Sequence, residues 1–146
     1  VKNEKVISYG VTDVNGRPHA ETIALNKKKQ NELIGSTVYL TLEPCSHYGK
    51  TPPCTNLIIK KRIRKVYFSV NDPDNRSYNK AFKILKRKGI YVNKGIHNKK
   101  ISLFYKSYFK FKKGNFPLLD YRIFRIRAFH AICLSCKSHM GVLDGS

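Results

Sequence analysis

The sequence predicts an α/β layered domain with mostly parallel strands. Three observations carry this prediction. Short β-branched and aromatic runs alternate with segments of helical spacing, turn residues mark their boundaries, and no internal repeat interrupts the order. Val6-Ile7-Ser8-Tyr9 is a β-like run closed by Gly10, and Asn15-Gly16 signals a turn. A helix is expected from near His19 toward Gln30, because Ala20, Ile23 and Ala24 have helical spacing, and Gly35 breaks it. Thr37 to Leu42 mixes β-branched, aromatic and apolar residues and reads as a strand. The loop 43–53, rich in Pro, Gly and Ser, leads to a helix from about Pro53 to Lys61, proline being tolerated in a first turn.

Val66 to Val70 is the next expected strand, and Asp72-Pro73-Asp74 a turn. Ser77 is expected to cap a helix whose stripe is Tyr78, Ala81, Phe82 and Leu85, ended by Gly89. Ile90-Tyr91-Val92 is a last short strand. Ile101, Phe104, Tyr105, Tyr108 and Phe109 share one helix face, which reads as a packing face rather than a base-stacking platform. After Pro117 the periodicity stops. Residues 1–117 read as one domain, and 118–146 as a linker, the start of a truncated second domain, or sequence that does not fold. The first residues read as the end of a strand, so the chain is expected to start inside a domain.

Charge is lopsided: 29 Lys+Arg stand against 9 Asp+Glu, a formal net charge of +20. Such a field attracts phosphorylated small molecules and nucleic acid without choosing between them. No stretch approaches the roughly 18 apolar residues of a membrane span, and Val1 to Gly10 lack the order of a signal peptide. Four cysteines without an export signal point to a reducing cytoplasm, where clustered cysteines bind metal more often than they cross-link.

Three features stand together: His19-Ala20-Glu21, Glu43-Pro44-Cys45 and Pro52-Pro53-Cys54. One His and two Cys supply the three protein ligands of a catalytic zinc, with a fourth position left to water. Zinc makes water a nucleophile near neutral pH. A carboxylate two residues beyond the His, Glu21, can take a proton from that water and return it to a departing amine. H-x-E followed by Pro-Cys is the signature of zinc deaminases. A second His/Cys group, His130, Cys133, Cys136 and His139, is spaced by threes; such helical neighbours do not all converge on one ion.

Residues 16–21, GRPHAE, and 41–54, TLEPCSHYGKTPPC, resemble the deaminase domain of the bifunctional riboflavin-biosynthesis deaminase/reductase. Cytidine and tRNA deaminases have two residues between their cysteines; here eight intervene. The resemblance continues through Asp72-Pro73 and from Leu85 to Val92, so it spans roughly 6–117. It implies a cytidine-deaminase-like layered fold, a mostly parallel sheet flanked by helices. It implies hydrolytic loss of the 2-amino group from 2,5-diamino-6-ribosylamino-4(3H)-pyrimidinone 5′-phosphate. Position by position it makes His19, Cys45 and Cys54 the zinc ligands and Glu21 the proton shuttle, with His47, Lys50 and Thr51 of the insert contacting substrate. The family's opening helix and Asn-Pro strand have no counterpart in this sequence, nor does its reductase domain.

Two other functions are carried beside this one. A nucleic-acid base deaminase would use the basic field to hold a phosphate backbone, although the long insert argues against a nucleic-acid partner. An inactive basic binding module would keep zinc for structure alone. A phosphorylated pyrimidine and a second copy of the chain are the partners expected, with no membrane.

Overall fold

The computed structural model describes residues 1–114. The expected linker 118–146 and the His130/Cys133/Cys136/His139 group lie outside the described residues. Helices α1 (Ala20–Asn26) and α2 (Gln30–Leu33) precede strand β1 (Thr37–Leu42). Then come α3 (Cys54–Lys60), β2 (Lys65–Val70), α4 (Lys80–Arg87), β3 (Tyr91–Lys94), α5 (Asn98–Phe104) and α6 (Lys106–Lys112). The strands form one parallel sheet in the order β1-β2-β3, with Thr37 opposite Lys65 and Lys65 opposite Tyr91.

The core follows from strand alternation. On one face Leu40 of β1 and Val66 and Phe68 of β2 meet Leu25 of α1, Leu33 of α2, Ile58 of α3 and Leu85 of α4. Ile58, Val66 and Leu85 are fully enclosed. Truncating any of them to Ala is expected to cost about 2–5 kcal/mol. On the other face Tyr39 and Tyr67 stack across the parallel pair at 5.0 Å, and Tyr67 meets Tyr91 at 5.9 Å. Helix α5 packs on β2, and the Tyr105 hydroxyl lies 2.9 Å from Thr41 Oγ1. Helices therefore cover both faces of the sheet, as predicted. The aromatic stripe packs in part: Tyr105 stacks with Phe109 at 5.9 Å and reaches β1 through its hydroxyl, whereas Phe104 is exposed.

Several expected elements change. Val6 to Tyr9 is not a strand; among the described residues its only neighbouring antiparallel pairing is the single bridge Lys2–Lys5. A strand needs a ladder, and this segment lies along α1 instead. Ser8 Oγ donates to the Ala24 carbonyl at 2.7 Å, and Lys27 Nζ to the Tyr9 carbonyl at 3.2 Å. Gly10 crosses the helix so closely that a Cβ there would lie 2.2 Å from the Ala20 carbonyl oxygen. The expected helix 19–30 splits into α1 and α2 because Glu32 draws the Lys29 backbone N–H to its carboxylate at 2.9 Å and starts a new turn. The expected helix through 101–109 is likewise two, α5 and α6, parted at Tyr105.

Ser77 does not cap α4. Asn79 stands there in a left-handed conformation, φ 55°. The Ser77 hydroxyl is buried against His47, and Tyr78, placed on the stripe by its spacing, is exposed. Among the described residues, no helix is long and apolar enough to cross a membrane.

Candidate active site

His19 is the N-cap of α1, in extended conformation (ψ 155°), so its side chain leaves the helix axis before the first turn closes. Thr12 Oγ1 accepts the Ala20 N–H at 3.1 Å and steadies that entry. Cys54 is the first residue of α3, and Pro53 before it fixes where the helix begins. Cys45 follows β1 by three residues. Its sulfur accepts the Cys54 N–H at 3.2 Å, and its carbonyl accepts the Thr55 N–H at 3.2 Å. A strand end and two helix starts thus meet at one point.

At that point His19 Nδ1 lies 3.5 Å from Cys45 Sγ and 3.4 Å from Cys54 Sγ. All three donor atoms lie within 4.8 Å of one another. Zinc bonds of about 2.3 Å to sulfur and 2.0–2.1 Å to nitrogen, at a tetrahedral angle, put sulfur and nitrogen about 3.6 Å apart. The donor set and its spacing therefore fit zinc. The Cys45 thiol is held below the ordinary cysteine value by hydrogen bonding from Cys54 and then from His19. Cys54 is pushed up by the same shared hydrogen bond and by burial. The His19 imidazole is raised, chiefly by its hydrogen bond to Cys45.

Glu21 sits in the first turn of α1, and its carboxyl approaches the Cys54 sulfur. Burial raises it above the ordinary glutamate value, against the opposing pull of a backbone hydrogen bond and of His19. A raised carboxyl is better suited to hold and return a proton than an ordinary glutamate. Glu21 also lines a cavity with Ile7, Ser8, Ala24 and Val38.

The insert between the two cysteines is tied to the loops on either side of it. His47 Nδ1 lies 2.9 Å from Ser77 Oγ, Lys50 is exposed, and Thr51 Oγ1 accepts from the Arg17 guanidinium. Ser46 Oγ, beside Cys45, is buried without a hydrogen-bond partner. Sequence reasoning missed the residue that ties the surrounding loops together. Glu43 is 2% exposed, and its carboxylate accepts three backbone N–H groups: Asn79 at 2.9 Å, Ala81 at 3.1 Å and Asp72 at 3.4 Å. It does for α4 what Ser77 was expected to do, from 36 residues away. Burial raises its carboxyl while those three donors pull it down. The available signal was a carboxylate at a strand end, directly before a buried proline. Asp72, 8% exposed, closes the turn by accepting the Asp74 N–H at 3.0 Å.

Residues 1–70 match the family described as the cytidine and deoxycytidylate deaminase zinc-binding region. A diaminohydroxyphosphoribosylamino-pyrimidine deaminase of Buchnera aphidicola subsp. Schizaphis graminum is 39% identical over 117 residues, 80% of this chain and 79% of the relative. The chain belongs to that deaminase family. The riboflavin biosynthesis protein RibD of Chlamydia muridarum is 44% identical over 96 residues, 66% of this chain and 26% of that protein. A solved structure of Acinetobacter baumannii RibD superposes with a TM-score of 0.73 at 36% identity, over 80% of this chain and 33% of that one. This deaminase chain thus spans most of the Buchnera relative and about a third of the RibD structure. The cytidine-deaminase-like fold and the zinc-binding character follow from the family.

Proposed function

We propose that this chain catalyses the hydrolytic deamination of 2,5-diamino-6-ribosylamino-4(3H)-pyrimidinone 5′-phosphate in riboflavin biosynthesis. One observation carries the reading: His19, Cys45 and Cys54 converge at zinc-ligand spacing with Glu21 beside them and an eight-residue insert folded between the two cysteines. Zinc, when bound, supplies a Lewis acid that makes water nucleophilic near neutral pH. Glu21 takes the proton of the attacking water and delivers it to the leaving nitrogen. The C2–N bond breaks, a C2–O bond forms, and ammonia leaves. The raised carboxyl of Glu21 suits it to hold that proton in between.

The insert is the substrate side of the site. Both its ends are ligands, so whatever it carries lies next to the reacting carbon. His47, oriented by Ser77, faces the ring or sugar, and Lys50 and Thr51 offer an ammonium and a hydroxyl to the phosphate. A reducing cytoplasm suits the site, because Cys45 and Cys54 are unpaired and can bind metal as thiolates, which a disulfide would prevent.

The test is ammonia release by the zinc-loaded protein from three substrates: the pyrimidine phosphate, cytidine and single-stranded RNA. Release from the pyrimidine phosphate alone is expected. Turnover of RNA in its place would overturn the reading, and so would release from none of the three by protein carrying one zinc.

A further inference from the structure

Arg17 has no part in the proposed proton transfer, yet it is tied to the insert between the two cysteines. It lies two residues before His19, and its Nη1 donates to Thr51 Oγ1 across the insert. A Cβ built on Gly49 would stand 3.0 Å from Arg17 Nη2 and 4.0 Å from His47 Nε2. Arg17, His47 and Thr51 therefore surround one face of Gly49. The missing side chain at 49 leaves the space between them open. Ser77 holds His47 by its other nitrogen, Nδ1, at 2.9 Å, so Nε2 is the atom left for this corner.

Arg17 as a whole is half-buried, its guanidinium is reached by solvent, and among the described residues it has no carboxylate partner. Asp74, by contrast, takes both Arg76 and Lys112. A planar fork of donors without an anion is suited to receive one.

We infer that Arg17 is a substrate-binding and specificity-determining residue that, with Thr51, receives the 5′-phosphate of the substrate, next to the His47 that faces the ring or sugar. This rests on the phosphorylated substrate proposed above. Lys50, exposed at the tip of the insert, adds a second positive charge from outside, whereas Arg17 supplies the fixed, directional contacts.

Calorimetric titration of the zinc-loaded protein with ribose 5-phosphate, and with ribose, reads the site without relying on turnover. The native protein is expected to bind the phosphate monoester and not the free sugar. Arg17→Gln should raise Kd at least tenfold at unchanged zinc content, and Arg17→Lys should fall between. Lys83→Gln, which removes one exposed charge from α4, controls for the general basic field and should leave Kd unaltered. In parallel, the preference in kcat/KM for the phosphorylated over the dephosphorylated pyrimidine should drop by the same factor in Arg17→Gln. Equal affinity in native protein and both Arg17 variants would overturn the inference, as would a native protein that ignores ribose 5-phosphate. Ribose 5-phosphate binding that needs Arg17, without ammonia release from the pyrimidine, would instead overturn the proposed reaction and leave the anion site standing.

Discussion

Replacing Glu43 with Gln tests whether one carboxylate holds the loops around the site in register. The substitution keeps the volume and changes only the hydrogen-bonding. In the native protein one carboxylate oxygen accepts the N–H groups of Asn79 and Asp72, and the other accepts that of Ala81. Glutamine can keep its oxygen at the first position, which turns its NH2 toward the Ala81 N–H, donor against donor. One bond to a charged group is lost, at about 1.5–3 kcal/mol, and a buried donor is left unsatisfied at about 1–3 kcal/mol. Part of this is offset, because burial already penalises the native charge. A net loss of roughly 2–3 kcal/mol is expected, which lowers Tm by roughly 6–12 °C in a domain of this size. Thermal unfolding followed by circular dichroism measures it. Hydrogen exchange at the amides of Asp72, Asn79 and Ala81 reports the local part and should quicken there first. A Tm within about 2 °C of native, with those amides still protected, would refute the anchoring role.

Native protein is expected to carry one zinc and Cys45→Ser to lose most of it; equal metal content in both would remove Cys45 from the ligand set. Zinc at about a thousandfold above its Kd should stabilise the fold by about 4 kcal/mol, so chelation should lower Tm, and an unchanged melt would contradict a site built into two helix starts. Glu21→Gln should keep zinc and lose about 10²–10⁴-fold in kcat. In the proposed reaction Glu21 acts deprotonated, so kcat/KM should fall on the acid side and Glu21→Gln should lose that limb; a limb that persists in the variant would deny Glu21 the base role. Asp74 gives a pH signature in stability. Hydrogen bonding from Arg76 and then Lys112 depresses its carboxyl below the ordinary 3.8, so its contribution is present above that pH and lost as pH falls through the depressed value. Asp74→Asn should flatten the acid side of the urea-unfolding profile, and a native-like profile would count against the ion pairs.

Much of the fold was legible because neighbours along the chain decide it. Thr37–Leu42 was legible with its observed ends, since β-branched and aromatic residues fit a half-buried pleated surface. The layout of the metal cluster was legible for a similar reason: imidazole and thiol side chains that converge have few other uses. The failures share one cause, a partner far off in sequence. Val6 to Tyr9 has the composition of a strand but lies along α1. Ser77 has the composition of a cap but bonds to His47, 30 residues earlier. Glu43 and Arg17 look like ordinary surface charges until the loops 72–81 and 46–53 close around them.

His19 and Cys54 each stand where a helix begins, and the N–H of Cys54 also grips the sulfur of Cys45. A metal held there works as a rivet through two helix ends. Letting it go means fraying the opening turn of α1 or of α3. The lifetime of the bound ion is therefore tied to how often those turns open, and a substitution that only loosens Pro53 or Thr12 would hasten metal exchange while leaving every ligand in place.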